Sequence, residues 1–393
     1  MEVNNFIDKK FFSSKNKKKD LKNLIKKIKN HKTNIFKYFD KDYKILENKI
    51  FFSKFKKFQK IVIIGMGGSI LGSKSIYSFL RHRIKKEFFF IDNLDDNYLK
   101  NFSKRKDLKK FLFIIISKSG NTLETITILN CQKSGIIDKN NTIIITENKK
   151  SYLHSFAKRR KIALVNHDMT IGGRYSVLSE VGMLPAYLMG LNIKNFRKRI
   201  FNNIFKEKIN AFEKIIPILT DIYSKKKLNS IILINYCPEL NDFLYWCQQL
   251  LAESLGKKNI GLVPIVSQAP KDHHSLLQLY LDGPRDKLFY IFSLKASKKK
   301  IFKKNLSNSD MNFLKGKSVG QVVESQKKAF VQILKKKKFP LREFKISKIN
   351  EETFGELASY FMLETWMLGD NLNINPFNQP AVEQVKVLTK KLI

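Results

Sequence analysis

Cysteine is scarce in this chain: Cys131, Cys237 and Cys247 are the only thiols among 393 residues. Three such widely separated residues cannot build a disulfide framework, and their spacing fits no zinc site. Long apolar runs are also missing. The longest, such as FLFIII at 111–116, have strand length and fall far short of the ~20 residues that cross a bilayer. The opening MEVNNFIDKKFFSSKNKKKD has neither the apolar centre nor the small-residue cleavage site of a secretory signal. These shortages exclude secreted, membrane-spanning and collagen-like classes. The expectation is a soluble cytoplasmic protein with no membrane partner. Hydrophobic residues make up 43% and aromatic residues 12%, enough to bury a sizeable core. At roughly 150 residues per domain, the length allows two to three domains.

Acidic residues are few as well: 34 Asp and Glu stand against 75 Lys and Arg, a net charge of +41. Clustered cations would gain affinity for nucleic acid by releasing phosphate counterions. Arginine, which forks onto phosphates and reads bases, is nevertheless rare beside lysine. Lys, Ile, Asn and Phe rise together along the whole chain, the pattern of AT-rich coding bias. The lysine runs at 16–19, 298–304 and 335–338 read as solvated faces, and no nucleic-acid partner is expected. The overall positive field would still draw small anions such as sugar phosphates toward a cleft.

Residues 1–55 carry scattered apolar positions (Leu21, Leu24, Ile25, Ile28) at helical spacing and read as a helical N-terminal lead. From 56 the texture changes to short β-branched runs separated by polar loops and amphipathic stretches. KIVIIG (60–65), EFFFID (87–92), FLFIIIS (111–117), NTIIIT (141–146) and KIALV (161–165) suit strands covered on both faces. This predicts a doubly wound parallel-sheet α/β domain over 56–195. NSIILIN (229–235), IGLVPIV (260–266), KLFYIFSL (287–294) and LREFKIS (341–347) predict a second such domain over 196–349. The two halves have the look of structural repeats. A C-terminal helical arm over 350–393 is expected to hold a helix to about Gly369, an irregular NINPFNQP segment and a short final helix.

Two loops look built for an anion. Gly65-Met66-Gly67-Gly68-Ser69 follows the first strand, and glycines there let the backbone approach a ligand closely. With Asp92 ending the second strand the pattern imitates a dinucleotide site, but Ile70 stands where the third glycine belongs. After the third strand come Ser117, Lys118, Ser119, Gly120, Asn121 and Thr122. Three hydroxyls, an amide and an ammonium in one strand-to-helix turn exceed what a helix cap requires. They suit a phosphate monoester at a helix N-terminus, and the absence of G-x-x-x-x-G-K-S/T argues against a nucleoside triphosphate.

These loops resemble the phosphate loops of the sugar-isomerase domain family, and later segments narrow the resemblance to the phosphoglucose isomerase family. Ile171-Gly172-Gly173-Arg174-Tyr175-Ser176 is similar to its G-G-R-F/Y-S signature. Leu251-Ala252-Glu253-Ser254-Leu255-Gly256-Lys257 resembles M-E-S-N-G-K, and Asp272 to Leu279 resembles Q-H-S-x-x-Q-L. Phe377 to Lys386 resembles the terminal D-Q-x-G-V-E-x-G-K. The segments run in the family's order from about 60 to 390.

The resemblance implies two sugar-isomerase domains and interconversion of glucose 6-phosphate and fructose 6-phosphate through a cis-enediol(ate), with no nicotinamide or metal. It implies a 6-phosphate held by Ser117, Lys118, Ser119 and Thr122 with support from Ser69, and Gly173 and Gln379 as further substrate contacts. Glu253 would move the proton between C2 and C1, Arg174 would stabilise the intermediate, and His274 and Lys386 would open the ring. A homodimer with a shared active site follows, the histidine coming from the second subunit. The residues themselves are compatible with this chemistry: a carboxylate beside an apolar helix face, a guanidinium charged at any working pH and an imidazole able to shuttle a proton. Two rivals remain at this stage. A non-catalytic sugar-phosphate regulator would keep the 117–122 loop without needing the four catalytic candidates, and a dehydrogenase would use the Gly65 loop with Asp92.

Overall fold

The computed structural model describes residues 1–12, 33–46, 49–225, 227–295 and 309–393. Leu21, Leu24, Ile25 and Ile28, and the lysine runs at 16–19 and 298–304, lie outside the described residues. The run at 335–338 is exposed, as expected.

Among the described residues ten strands form two sheets. In chain order they are β1 (Glu2–Phe6), β2 (Lys60–Ile64), β3 (Glu87–Ile91), β4 (Phe111–Ile116), β5 (Thr142–Thr146), β6 (Ala163–Asn166), β7 (Ser230–Asn235), β8 (Val263–Gln268), β9 (Lys287–Leu294) and β10 (Leu341–Ile346). The first sheet is parallel throughout, in the order β3-β2-β4-β5-β6. Every residue of β4 and β5 is buried, which is why FLFIII and the III at the centre of β5 are continuous apolar runs rather than alternating ones. The second sheet has the order β1-β10-β9-β7-β8. Its four parallel strands repeat the connectivity of the first: the second strand lies outside the first, and the third crosses to the other side.

The N-terminal lead corrects the expectation of a helical 1–55. Short helices occur at Ile35–Phe39 and Lys49–Ser53, but Glu2–Phe6 is an antiparallel edge strand on β10, paired from Glu2 opposite Lys345 to Phe6 opposite Leu341. Polar partners fix it there. The Met1 ammonium lies 3.1 Å from Glu356, and Arg342 donates to Asn5 Oδ1 at 2.8 Å. With the sequence EVNNF, this strand has no apolar run to announce it.

A single apolar core joins the facing sides of both sheets. Ile63 of β2, Leu233 of β7, Phe243 of the helix Asn241–Leu255 and Phe354 of the helix Glu351–Asn371 all belong to it. The C-terminal arm therefore divides into two parts. Glu351–Asn371 is buried along almost its whole length, whereas Pro380–Leu392 has no buried residue. Arg342 on β10 ties the first of these helices to the sheet, donating to both carboxylate oxygens of Glu364 at 2.8 Å.

Candidate active site

In a doubly wound sheet, ligands bind beyond the carboxyl ends of the strands where the winding direction reverses. Here that point lies between β2 and β4. Ile64 is paired with Ile115, so the loops after these strands leave the sheet side by side. Gly65 keeps them close: a Cβ there would lie 3.0 Å from the Ile116 carbonyl oxygen and 3.2 Å from Ser69 Cβ.

The 117–122 turn is internally organised. Ser117 Oγ and Thr122 Oγ1 lie 2.8 Å apart, Ser117 Oγ accepts from the Gly120 amide at 3.2 Å, and Ser119 Oγ accepts from the Asn121 amide at 3.2 Å. Gly120 has φ +66°, and a Cβ on it would fall 2.1 Å from Ser151 Oγ, so only glycine closes this turn. Thr122 precedes the helix Leu123–Asn130, and its hydroxyl faces Ser117 rather than capping that helix. Lys118 departs from expectation. Its ammonium donates to the Met169 carbonyl at 2.9 Å and lies 3.7 Å from Glu147, drawn to the β5–β6 side instead of the hydroxyl cluster. Burial lowers its pKa, with Glu147 opposing the shift. Asp92, the ribose-binding candidate of the dehydrogenase reading, is paired with Lys74 at 2.9 Å.

The Gly-Gly-Ser turn also reaches the second cluster. Gly68 packs against the backbone of Gly173 and Arg174, and Gly67 lies against Gln249. Arg174 is buried, and each of its five N–H donors has a partner. Nε donates to Ser254 Oγ at 2.8 Å; Nη1 donates to Glu253 Oε2 at 3.0 Å and Gln379 Oε1 at 2.9 Å; Nη2 donates to the carbonyls of Pro376 at 2.7 Å and Asn378 at 3.1 Å. The turn's orientation is fixed further by Trp246, whose indole donates to the Arg174 carbonyl at 3.1 Å. Glu253 sits near the end of the helix Asn241–Leu255, with its side chain 32% exposed at an open cleft shared with Leu71, Lys74, Tyr245 and Gln249. Its other oxygen, Oε1, accepts from Gln249 at 2.9 Å. Two sequence-distant loops and a helix thus converge on one guanidinium–carboxylate pair.

Sequence reasoning does not single out Gln249 or Ser254. The signal for Gln249 is the four-residue step to Glu253, which stacks two side chains on one helix face. Ser254 lies in the segment resembling M-E-S-N-G-K, but it is buried, and its bond to Arg174 shows only once Arg174 is in place.

Among the described residues, no hydrogen bond or ion pair joins His274 or Lys386 to this pair within one chain. His274 is exposed on the turn 271–274. That turn is fastened by a 2.7 Å contact between His273 Nε2 and the Tyr236 hydroxyl and by Asp272 accepting from the Gln268 amide at 2.7 Å. Gln268 in turn bonds Asn241, at the start of the helix whose far end carries Glu253. Twelve helical residues separate those ends by about 18 Å. Lys386 is 55% exposed on the final helix and pairs with Glu383 at 2.7 Å, seven residues beyond the Gln379 that does reach Arg174.

The solved structures of similar shape define the class. The chain superposes on a hypothetical protein of Thermus thermophilus with a TM-score of 0.81 and 24% identity, covering 94% of this chain and 92% of the other. It superposes on a glucose-6-phosphate isomerase of Chlamydia trachomatis with a TM-score of 0.72 and 20% identity, covering 88% of this chain and 71% of the other. The architecture is the two-domain sugar-isomerase fold.

Within that class the assignment is specific: the chain belongs to the phosphoglucose isomerase family, which it matches over residues 11–393. A glucose-6-phosphate isomerase of Methanocaldococcus jannaschii is 33% identical over 348 residues, 86% of this chain and 84% of the relative.

Proposed function

We propose that this protein is an aldose–ketose isomerase interconverting glucose 6-phosphate and fructose 6-phosphate, a step common to glycolysis and gluconeogenesis. The observation that carries this reading is the Glu253–Arg174 pair, placed beside the Gly-Gly-Ser turn in a chain of the phosphoglucose isomerase family.

In this reading the 6-phosphate is held by Ser117, Ser119 and Thr122 with the amides that open the helix Leu123–Asn130, and Ser69 closes the loop from the β2 side. Lys118 contributes its field from the Glu147 side. Holding the remote phosphate orients C1 and C2 near Glu253 without uniform tightening at the reacting carbons. Ring opening moves a proton from the C1 hydroxyl to the ring oxygen, with His274 and Lys386 as the carriers. Glu253 then takes the C2 proton, O1 gains a proton and the cis-enediol forms. The proton on Glu253 is returned to C1 while the O2 proton is released, leaving the ketose. Bonds and electrons balance without any external oxidant. Gly173 and Gln379 line the position of the reacting carbons.

Arg174 stabilises this intermediate by its buried charge. With all five donors engaged, it has no vacant hydrogen bond for a developing enediolate unless Gln379 or Glu253 yields one.

The separation of His274 from Glu253 within one chain supports a homodimer in which each site takes its histidine from the second subunit. The free thiols Cys131, Cys237 and Cys247 fit a reducing compartment, and the reading places the protein in the cytoplasm. Incubation with fructose 6-phosphate should yield glucose 6-phosphate, and Glu253→Gln should abolish turnover while retaining binding of a sugar-phosphate inhibitor. Unchanged turnover in E253Q would remove Glu253 from its role; no turnover in the native protein would overturn the function.

A further inference from the structure

The helix carrying Glu253 ends at Gly256, and the turn that follows presents two lysines to the C-terminal segment 372–379. Lys257 Nζ donates to the Asn375 carbonyl at 2.6 Å and to the Ser254 carbonyl at 3.1 Å. One ammonium therefore bridges the last turn of the helix and the strap that crosses it. Lys258 Nζ donates to the Asn373 carbonyl at 3.1 Å. Further along the strap, the carbonyls of Pro376 and Asn378 are taken by Arg174. Four carbonyls of a single irregular segment are thus each held by a cation, and Gln379 at its end completes the shell around Arg174. A segment with no regular secondary structure otherwise has few means of holding its carbonyls at fixed positions.

We propose that Lys257 is a positioning residue: by fastening the Asn375 carbonyl to the end of the Glu253 helix, it holds the 372–379 strap in register so that Gln379 and two strap carbonyls keep the Arg174 guanidinium aligned with Glu253. Lys257 touches neither the reacting carbons nor the phosphate loop, and acts through Arg174. Lys258 is the outer of the two latches, exposed and remote from Arg174, and serves as the internal comparison.

The surroundings of Lys257 make this latch sensitive to pH. Its pKa is lowered to about 8, chiefly by burial and then by the neighbouring Arg174 charge, with Glu253 opposing. Those two groups are the charges that act on it; the strap 372–379 contributes no ionisable side chain. Above about pH 8 the neutral amine bonds the two carbonyls more weakly, because the charge assistance is lost.

The inference rests on the isomerase reading of the site, so its test separates the two. Turnover of fructose 6-phosphate by the native enzyme is measured first, from about pH 6 to about pH 9.5. The native kcat should fall along an alkaline limb near pH 8. Lys257→Met should lower kcat at pH 7 about ten-fold, leave KM within about two-fold and lose that limb, as expected for misalignment remote from phosphate binding. Lys257→Arg, which stays charged, should restore most of kcat and also lack the limb. Lys258→Met should resemble the native enzyme. A Lys257→Met enzyme with unchanged kcat and an unchanged limb would overturn the proposal, as would a rise in KM with kcat preserved. Hydrogen exchange of the 373–379 amides reads the latch without turnover. Faster exchange confined to this segment in a Lys257→Met protein of native melting temperature is expected, and native exchange rates there would overturn the latch even if the isomerase reading failed.

Discussion

Gly68 lies directly on Gly173: a Cβ at position 68 would fall 2.2 Å from the Gly173 carbonyl carbon and 2.4 Å from the Arg174 nitrogen. This backbone-to-backbone contact is where the Gly-Gly-Ser turn meets the turn carrying the guanidinium. Gly68→Ala should force the two turns apart at a cost of about 1–3 kcal/mol in stability. Because Arg174 and Ser69 are on the two sides of the contact, kcat should fall by about 100-fold. Denaturant midpoints and steady-state kinetics on one preparation check both; native kinetics in G68A would show that the close approach has no bearing on the chemistry.

The 117–122 turn, proposed to hold the phosphate, makes a different prediction, one on binding. Ser117 and Thr122 hold each other's hydroxyls at 2.8 Å, which sets both oxygens at one side of the turn. A hydrogen bond to a charged group contributes about 1.5–3 kcal/mol, and Thr122→Ala should therefore raise KM for fructose 6-phosphate about ten-fold or more. A kcat loss at constant KM would instead place Thr122 at the reacting carbons. The Lys118 ammonium, held by Met169 and Glu147, should matter less: Lys118→Met should change KM by a smaller factor than Thr122→Ala.

The difference between these two loops also shows what could be seen in the sequence. β4 and β5 are buried on both faces, so FLFIII is apolar throughout and TIIIT is apolar between its two threonines, and together they mark a parallel sheet. The hydroxyls of 117–122 stand together in the chain, so the proposed anion site is visible by composition alone. β1 carries no comparable mark, since its position depends on Met1 meeting Glu356 and Asn5 meeting Arg342, contacts across almost the whole chain. Arg174 and Glu253 are visible as members of family motifs. That Arg174 would spend two donors on strap carbonyls is not, because a backbone carbonyl has no letter in the sequence. For the same reason neither Lys257, although it closes a family motif, nor Lys258 announces a bond to a strap carbonyl.

The position of His274 leads to a mixing experiment. If each site joins Glu253 of one subunit to His274 of another, E253Q and His274→Asn enzymes are each inactive for different reasons. Mixed dimers then contain one site with both native residues, and equal mixing of inactive parents should recover about a quarter of native activity. Subunit exchange under mild denaturant followed by assay measures this. Recovery that stays at zero while mixed dimers form would place both residues of each site in the same chain.

Acid stability tests the wall behind Lys118. His167 follows β6 and is buried; its Nδ1 lies 3.0 Å from the Asp168 carbonyl, while Nε2 is buried without a hydrogen-bond partner. Burial pushes the imidazole down to about 4, and the Lys118 charge adds to the push against the opposing Asp168 carbonyl and Glu147. The folded state thus takes up a proton less readily than the unfolded chain, where histidine titrates near 6.5. Unfolding is favoured by proton uptake between those values, so this residue's contribution is fully present above about pH 6.5 and is lost as the pH falls toward about 4. The difference amounts to about 3 kcal/mol across the interval. His167→Gln keeps a neutral polar side chain and should lose less stability than the native protein between about pH 7 and about pH 4.5, read from urea midpoints at each pH. Parallel curves for the two proteins would mean that the buried imidazole titrates as it does in the unfolded chain, and the acid sensitivity would then belong to the carboxylates.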